Sequence, residues 1–215
     1  MISGWGRKYN EILKEFNFNK KDDIQSAILL ESLLKDKNQI KKLQETIENQ
    51  DVFVIGAGPS LAKSIPVLKN FEKSIKIAAD SALKFLVENE IKPDIVVTDL
   101  DGDENILKKI GKTKTIFVVH AHGDNIFKLK MIKNFKNVLG TTQGKPFGKL
   151  NNFGGFTDGD RAVFLASYFN AKKIILIGMD FGNKIGKYSD TKPEEEKIKI
   201  RKLKKVIAQK ENLLD

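Results

Sequence analysis

Asp99, Asp101 and Asp103 fall on alternate residues directly after the apolar run Ile95-Val96-Val97-Thr98. In an extended chain alternate side chains share a side, so the three carboxylates are expected to converge. Like charges so close repel, and a hard divalent cation such as magnesium, which takes oxygen ligands and escorts phosphates, would neutralise them. Gly102 would let the backbone bend between them. A plainer role is also open, with Asp103 as the N-cap of a helix carrying Asn105 to Ile110. A calcium EF-hand loop does not fit, because its sixth position needs Gly and its twelfth Glu, where this chain has Glu104 and Ile110.

Three further constellations could do chemistry. Gly56-Ala57-Gly58-Pro59-Ser60-Leu61 follows the strand candidate Val52 to Ile55 and leads into a helix whose free amides and positive dipole end would accept phosphate. As a dinucleotide fingerprint it is incomplete: Leu61 replaces the third glycine and Pro59 lacks a donor, although Asp80 ends the second strand where a ribose-binding acid belongs. It is not a P-loop, since no Gly-Lys-Ser/Thr follows. His120-Ala121-His122-Gly123-Asp124-Asn125 contains the only two histidines. Oxygen-rich surroundings favour magnesium completed by His122 and Asp124 over zinc, while packing or helix capping is the alternative. The segment from Asn151 to Arg161 carries Gly154, Gly155, Thr157 and Asp158, and a glycine loop with an arginine could wrap and clamp a phosphate or serve as an ordinary connection.

A chain of 215 residues suffices for one α/β domain with a small appendage. Residues 1–50 read as a helical N-terminal extension, with Ile12, Phe16, Ile24, Ala27, Ile28, Leu30, Leu33, Leu34, Ile40, Leu43 and Ile47 at helical spacing. Residues 51–215 read as an α/β catalytic domain, because short apolar runs alternate with helical stretches, the sign of βαβ units and a mostly parallel sheet. Strands are predicted at 52–55, 75–79, 95–98, 115–119, 137–140 and 173–177. Helices are predicted at 61–71, 82–89, 104–110, 126–135 and 158–169, and a final one from Pro193 to Leu213. Ligands of such sheets bind beyond the carboxyl ends of the strands, which is where Asp80, Asp99, His120, His122, Asp124 and Asp180 all fall.

Composition narrows the partners. There is no cysteine, so disulfides and thiolate metal sites are excluded. The longest apolar runs, such as Ile174 to Ile177, are strand-sized, and the first ten residues show no signal-peptide pattern, so a soluble cytoplasmic protein without membrane contact is expected. The formal charge is +10, and all basic residues but Arg7, Arg161 and Arg201 are lysines. They form no concentrated tail and no nucleic-acid module is present, so a phosphate-rich small molecule is the more economical anionic partner. Lys and Glu enrichment without cysteine is also the compositional leaning of hyperthermophile proteins, which accounts for most of the lysines.

Taken in order, Gly56 to Leu61, Ala79-Asp80-Ser81-Ala82, Pro93 to Asp103, His120 to Asn125, Phe153 to Ala162 and Gly178-Met179-Asp180 closely resemble the archaeal 6-hydroxymethyl-7,8-dihydropterin pyrophosphokinase family. The segment Thr98 to Gly102 is also similar to the acidic motif of thiamine pyrophosphokinases, where a Ser often follows the second acid and this chain has Gly102. The resemblance implies a Rossmann-like fold and transfer of diphosphate from ATP to the hydroxymethyl oxygen of a reduced pterin, releasing AMP, in methanopterin or folate-type cofactor synthesis. It further implies magnesium organised by Asp99, Asp101 and Asp124, phosphates held by Gly56, Gly58, Pro59, Ser60 and Arg161, and pterin or ribose gripped by Asp180 or Asp80 with Ser81 beside it. A metal-dependent glycosyltransferase-like enzyme, an NAD-dependent oxidoreductase and a non-catalytic nucleic-acid binder are the rival readings. The helical extension and the C-terminal helix offer surfaces for self-association.

Overall fold

The computed structural model describes residues 4–35, 39–180 and 184–189. Seven strands, β1 (Asp51–Ile55), β2 (Ile75–Ala79), β3 (Ile95–Thr98), β4 (Ile116–Ala121), β5 (Asn137–Thr142), β6 (Leu150–Asn151) and β7 (Lys173–Ile177), form one sheet in the order β6-β5-β4-β3-β2-β1-β7. Every pairing is parallel. This is a Rossmann-like α/β fold, as expected. The chain steps outward from β1 to β6 and then crosses back to place β7 on the far side of β1, so the strand order reverses between β1 and β7.

The strands are apolar on both faces because both are covered. Phe53 and Ile55 of β1, Ala78, Val96, Phe117 and Val119 pack into one core, which the helices α4 (Ile65–Asn70), α5 (Leu83–Glu88) and α6 (Glu104–Gly111) join through Leu68, Phe85 and Leu107. Val52, Val54, Ile77, Ile95, Val97 and Val118 face the other core, filled by Ala162, Leu165 and Ala166 of α7 (Asp158–Tyr168). Near-continuous Val and Ile runs are what a doubly covered parallel sheet requires.

The three N-terminal helices divide between these layers. The helix α2 (Lys20–Leu33) buries Ala27 and Leu30 in the first core, and α3 (Gln39–Ile47) buries Leu43 and Ile47 in the second. The helix α1 (Trp5–Phe16) joins Phe156 in a third cluster through Trp5, Tyr9 and Ile12.

Three expectations change. The strand after β5 was absent from the sequence reading, since β6 has only two residues and no periodicity to detect. The stretch 126–135 forms 3-10 turns, Leu129–Asn134, rather than an α-helix. The helix expected over 61–71 opens as a 3-10 turn, Leu61–Ser64, and α4 has only six residues, with Pro66 in its first turn. The helix predicted from Pro193 to Leu213 lies outside the described residues.

Candidate active site

The local backbone after β3 decides which acids meet. The strand ends at Thr98, and Leu100 takes a left-handed conformation with φ 67° while burying its side chain in the core. Its N–H donates to Thr98 Oγ1 at 2.6 Å, which fixes the turn. A left-handed residue breaks the extended alternation on which a convergence of Asp99, Asp101 and Asp103 depended. Asp103, still on the cleft wall but outside the four-acid cluster, caps α6, accepting hydrogen bonds from the N–H groups of Asn105 and Ile106 at 3.0 and 3.1 Å. Its assignment as a metal ligand is thereby corrected, and capping is its role.

Asp99 and Asp101 instead meet Asp80, at the end of β2, and Asp158, the first residue of α7: each of the four offers a carboxylate oxygen within 4.8 Å of the others. Asp80 is buried and held from behind, with Oδ2 accepting from the Thr98 hydroxyl and, at 3.1 Å, from the Gly102 N–H. Its Oδ1 and the Oδ1 of Asp99 are buried without any hydrogen-bond partner. Buried polar atoms are rarely left so, and two carboxylate oxygens in one acid cluster fit a hard cation.

The electrostatics agree. Burial, reinforced by the Asp99 charge, pushes the Asp80 carboxyl up to about 6. Burial and the charges of Asp99, Asp101 and Asp80 hold Asp158 well above the carboxylate range even though Arg161 opposes the shift. A cation among them would reverse both shifts.

The cluster lies on the wall of a cleft of about 1050 Å³ that opens at the carboxyl ends of β1 to β4 and β7. Gly56 and Gly58 line it, but their N–H groups are committed to Ile177 O at 2.8 Å and Gly178 O at 2.7 Å, and that of Ser60 to Asp180 Oδ2 at 2.9 Å. The glycine turn is therefore closely packed onto the end of β7, since a Cβ on Gly58 would lie 2.2 Å from Asp180 Oδ2, and it does not present these donors to phosphate. The short α4 supplies little dipole either, so the phosphate cradle expected there is corrected. Asp180 is engaged by the Ser60 N–H and hydroxyl, and Pro59 and Ser60 are exposed outside the residues that line the cleft. Ser81 and Thr157 do line it, the latter capping α7 together with Asp160.

Other expected ligands are displaced as well. His122 Nδ1 bonds Asp23 Oδ1 at 2.8 Å, so it belongs to the cleft wall and not to the acid cluster. Asp124, with 84% of its side chain exposed, sits at the rim 3.6 Å from His122 Nε2. His120 is buried beneath the site between Thr141 and Gln143, and burial holds its imidazole well below the usual range, hence neutral. Asp80, fixed by Thr98 and Gly102, belongs to the acid cluster.

Arg161 lines the cleft but is engaged by the protein. Its guanidinium is buried, bonding Asp158 Oδ1 at 3.0 Å, the Phe156 carbonyl at 2.9 Å and Gln143 Oε1 at 3.1 Å, so it orients an acid from behind. Gly154 and Gly155 lie in that same second layer: at Gly155, φ 93°, a Cβ would come within 2.6 Å of the Arg161 Cα. Small residues are needed there for the close approach of α7.

Several wall residues escaped the sequence reading. Asp23, buried, accepts from the Tyr9 hydroxyl at 2.6 Å and the Gly123 N–H at 2.8 Å as well as from His122. These contacts hold its carboxyl below the usual range, the His122 hydrogen bond foremost, against the opposing effect of burial. Gln143 ties Arg161 to Gly155. An acid on the apolar side of α2 was the available signal for Asp23; nothing in the sequence marks Gln143.

Comparisons with known proteins follow the same lines. The pattern of the family described as 6-hydroxymethylpterin diphosphokinase MptE-like matches residues 27–186. A protein of Methanocaldococcus jannaschii named 6-hydroxymethyl-7,8-dihydropterin pyrophosphokinase is 46% identical, over 93% of this chain and 90% of its own length. Proteins of the same name from Pyrococcus furiosus and Methanothermobacter thermautotrophicus are 44% and 40% identical, over 86% and 87% of this chain and 80% and 82% of their own lengths. Among solved structures, the Maf glycosyltransferase of Magnetospirillum magneticum AMB-1 superposes with a TM-score of 0.52 at 17% identity, covering 69% of this chain and 28% of that one, a likeness of fold alone. No helix among the described residues is long and apolar enough to cross a membrane.

Proposed function

The chain belongs to the 6-hydroxymethylpterin diphosphokinase MptE-like family, and from that premise we propose that it transfers the terminal diphosphate of ATP to the hydroxymethyl oxygen of 6-hydroxymethyl-7,8-dihydropterin, with AMP as the other product. The observation that carries the reading is the convergence of Asp80, Asp99, Asp101 and Asp158 on the wall of a cleft roomy enough for two substrates.

In the reaction the alcohol oxygen forms a bond to the β-phosphorus while the bond from that phosphorus to the α,β-bridging oxygen breaks, the electron pair leaves with AMP, and the hydroxyl proton is released to solvent. Such transfers depend on positioning and charge stabilisation rather than on covalent catalysis. Magnesium held by the four carboxylates would supply counter-charge to the polyphosphate oxygens. The chain's own part is to aim those carboxylates: Thr98 and Gly102 orient Asp80, Arg161 orients Asp158, and the first turn of α7 places Asp158 at a helix end that offsets part of the cost of its charge.

The cleft is asymmetric along the sheet edge. Toward β1 and β7, where the strand order reverses and nucleotides bind in folds of this kind, Lys184 and Lys187 line it, with Lys84 next to them after β2. That end suits the polyphosphate. Purified protein incubated with ATP, magnesium and the dihydropterin should release AMP only when all three are present; AMP or ADP release independent of the pterin would refute the assignment.

A further inference from the structure

The opposite end of the same cleft has a different character. It is walled by the turn joining α1 to α2, with Phe16 and Phe18, and by Phe156 and His122 after β6 and β4. Phe16 packs on Phe156 with ring centroids 5.1 Å apart and stacks near Phe18 at 5.8 Å, and the Phe18 ring meets the His122 ring edge to face at 5.0 Å. Behind them Trp5, Tyr9 and Ile12 are buried.

The wall is also rigid. Trp5 Nε1 donates to the Gln143 carbonyl at 2.9 Å, anchoring α1 to the loop after β5. Asp23 is bound at once by Tyr9, His122 and Gly123, which ties α1, α2 and the β4 loop together and sets the imidazole plane. Asn17 turns the chain between the helices in a left-handed conformation, φ 53°, so that Phe16 and Phe18 present to one side. Aromatic side chains held in place give a flat apolar surface at little entropic cost on binding.

Charge separates the two ends. Lys184 and Lys187 line the cleft beside the glycine turn after β1 and Lys84 lines it after β2, interspersed with Glu88 and Asp180, whereas the aromatic end carries Glu15, Asp23 and Asp124 and no lysine, its one lining cation, Arg161, being bound to Asp158 and the Phe156 carbonyl. An uncharged flat ring is accepted there and a polyphosphate is disfavoured. In sheet order the acids of β2 and β3 stand between the two ends, so a ring on the aromatic wall places its substituent beside the phosphoryl group to be transferred.

We propose that the aromatic wall built by the α1–α2 turn, Phe156 and His122 is the seat of the flat heterocyclic acceptor, so that the N-terminal helices and not the sheet set acceptor recognition. This rests on the diphosphotransferase reading for the identity of the ring. The test compares wild type with Phe16→Ala, Phe18→Ala and the volume-conserving Phe18→Leu, all at half-buried positions where the fold survives, in two assays. In steady-state AMP release the KM for 6-hydroxymethyl-7,8-dihydropterin should rise about tenfold in each variant, with the KM for ATP unchanged within about twofold. In calorimetric titration with 6-hydroxymethylpterin, without ATP, wild type should bind and the variants should lose about tenfold in affinity. An increase confined to the ATP KM would put the adenine on this wall and overturn the proposal, as would variants indistinguishable from wild type. Should wild type release no AMP, the reaction assigned above fails, and the titration still decides this inference: no pterin binding, or equal binding by the variants, overturns it.

Discussion

Gly102 and Asp80 are in direct contact: the Gly102 N–H donates to Asp80 Oδ2 at 3.1 Å, and a Cβ at position 102 would lie 2.1 Å from Oδ1. The acid that anchors the cluster can sit where it does only because the residue after Asp101 has no side chain. Gly102→Ala should therefore push the Asp80 carboxylate out of the cluster. The expected result is a fall in kcat of at least about a hundredfold with an intact circular-dichroism spectrum, since misplacement by an ångström costs on that order. Measuring AMP release for this variant checks it; near wild-type turnover would mean that Asp80 is dispensable.

Asp80→Asn separates stability from activity. Its carboxyl, pushed up to about 6 in the fold from an ordinary 3.8, binds a proton more tightly folded than unfolded. Metal-free protein thus loses stability as pH rises through roughly 4 to 6, and the full penalty, of order 3 kcal/mol, is present above that range. His120, kept neutral by burial, contributes the opposite slope, so the variant is compared with wild type at each pH. In EDTA at pH 7.5 Asp80→Asn should melt higher than wild type, the gap should close by pH 4, and AMP release should be abolished. A variant that melts lower at pH 7.5 would contradict the burial of an ionised, uncompensated carboxylate.

The same shifts set the pH dependence of metal binding. Protons held by Asp80 and Asp158 must leave before a cation can replace them. Magnesium should raise the melting temperature more at pH 7.5 than at pH 5.5, and Asp80→Asn should flatten that difference. Differential scanning fluorimetry across both pH values reads it directly.

The acids at the ends of the strands were legible in the sequence, because a parallel sheet gathers its functional loops at one edge whatever the details of packing. Asp80, Asp99, Asp101 and Asp158 were all picked out, but their grouping was not. Asp103 was placed with them by extended-strand alternation, and the left-handed Leu100 that breaks it is a non-glycine residue with no sequence signature. Arg161 was read as a clamp from its residue type, whereas its burial depends on α7 packing across four strands. The glycine turn was read as offering its amides to phosphate, whereas the end of β7 packs against it and takes those amides. Asp23 and Gln143 act across long sequence separations, through contacts that only the folded chain defines.

Asp103→Ala and Asp124→Asn should behave unlike changes in the cluster. The first removes an N-cap and should cost about 1 kcal/mol of stability. The second alters an exposed rim. Both should retain turnover within about threefold, in keeping with positions outside the four-acid cluster. Loss of magnesium-dependent activity in either would return that residue to the metal site.

Arg161→Met should destabilise the chain by about 3–5 kcal/mol in urea unfolding, because Asp158 would be left buried without its partner. Any protein that remains folded should show a lower kcat with an unchanged KM for ATP. A selective rise in the ATP KM would instead identify the guanidinium as a phosphate ligand.

The most direct test follows the β-phosphorus itself. With ATP labelled at that position, magnesium and 6-hydroxymethyl-7,8-dihydropterin, the label should appear in a pterin diphosphate in step with AMP, and Asp101→Asn should lose this transfer while keeping its melting temperature. Label found in ADP or free diphosphate, or full transfer by Asp101→Asn, would contradict an acid cluster that organises diphosphoryl transfer.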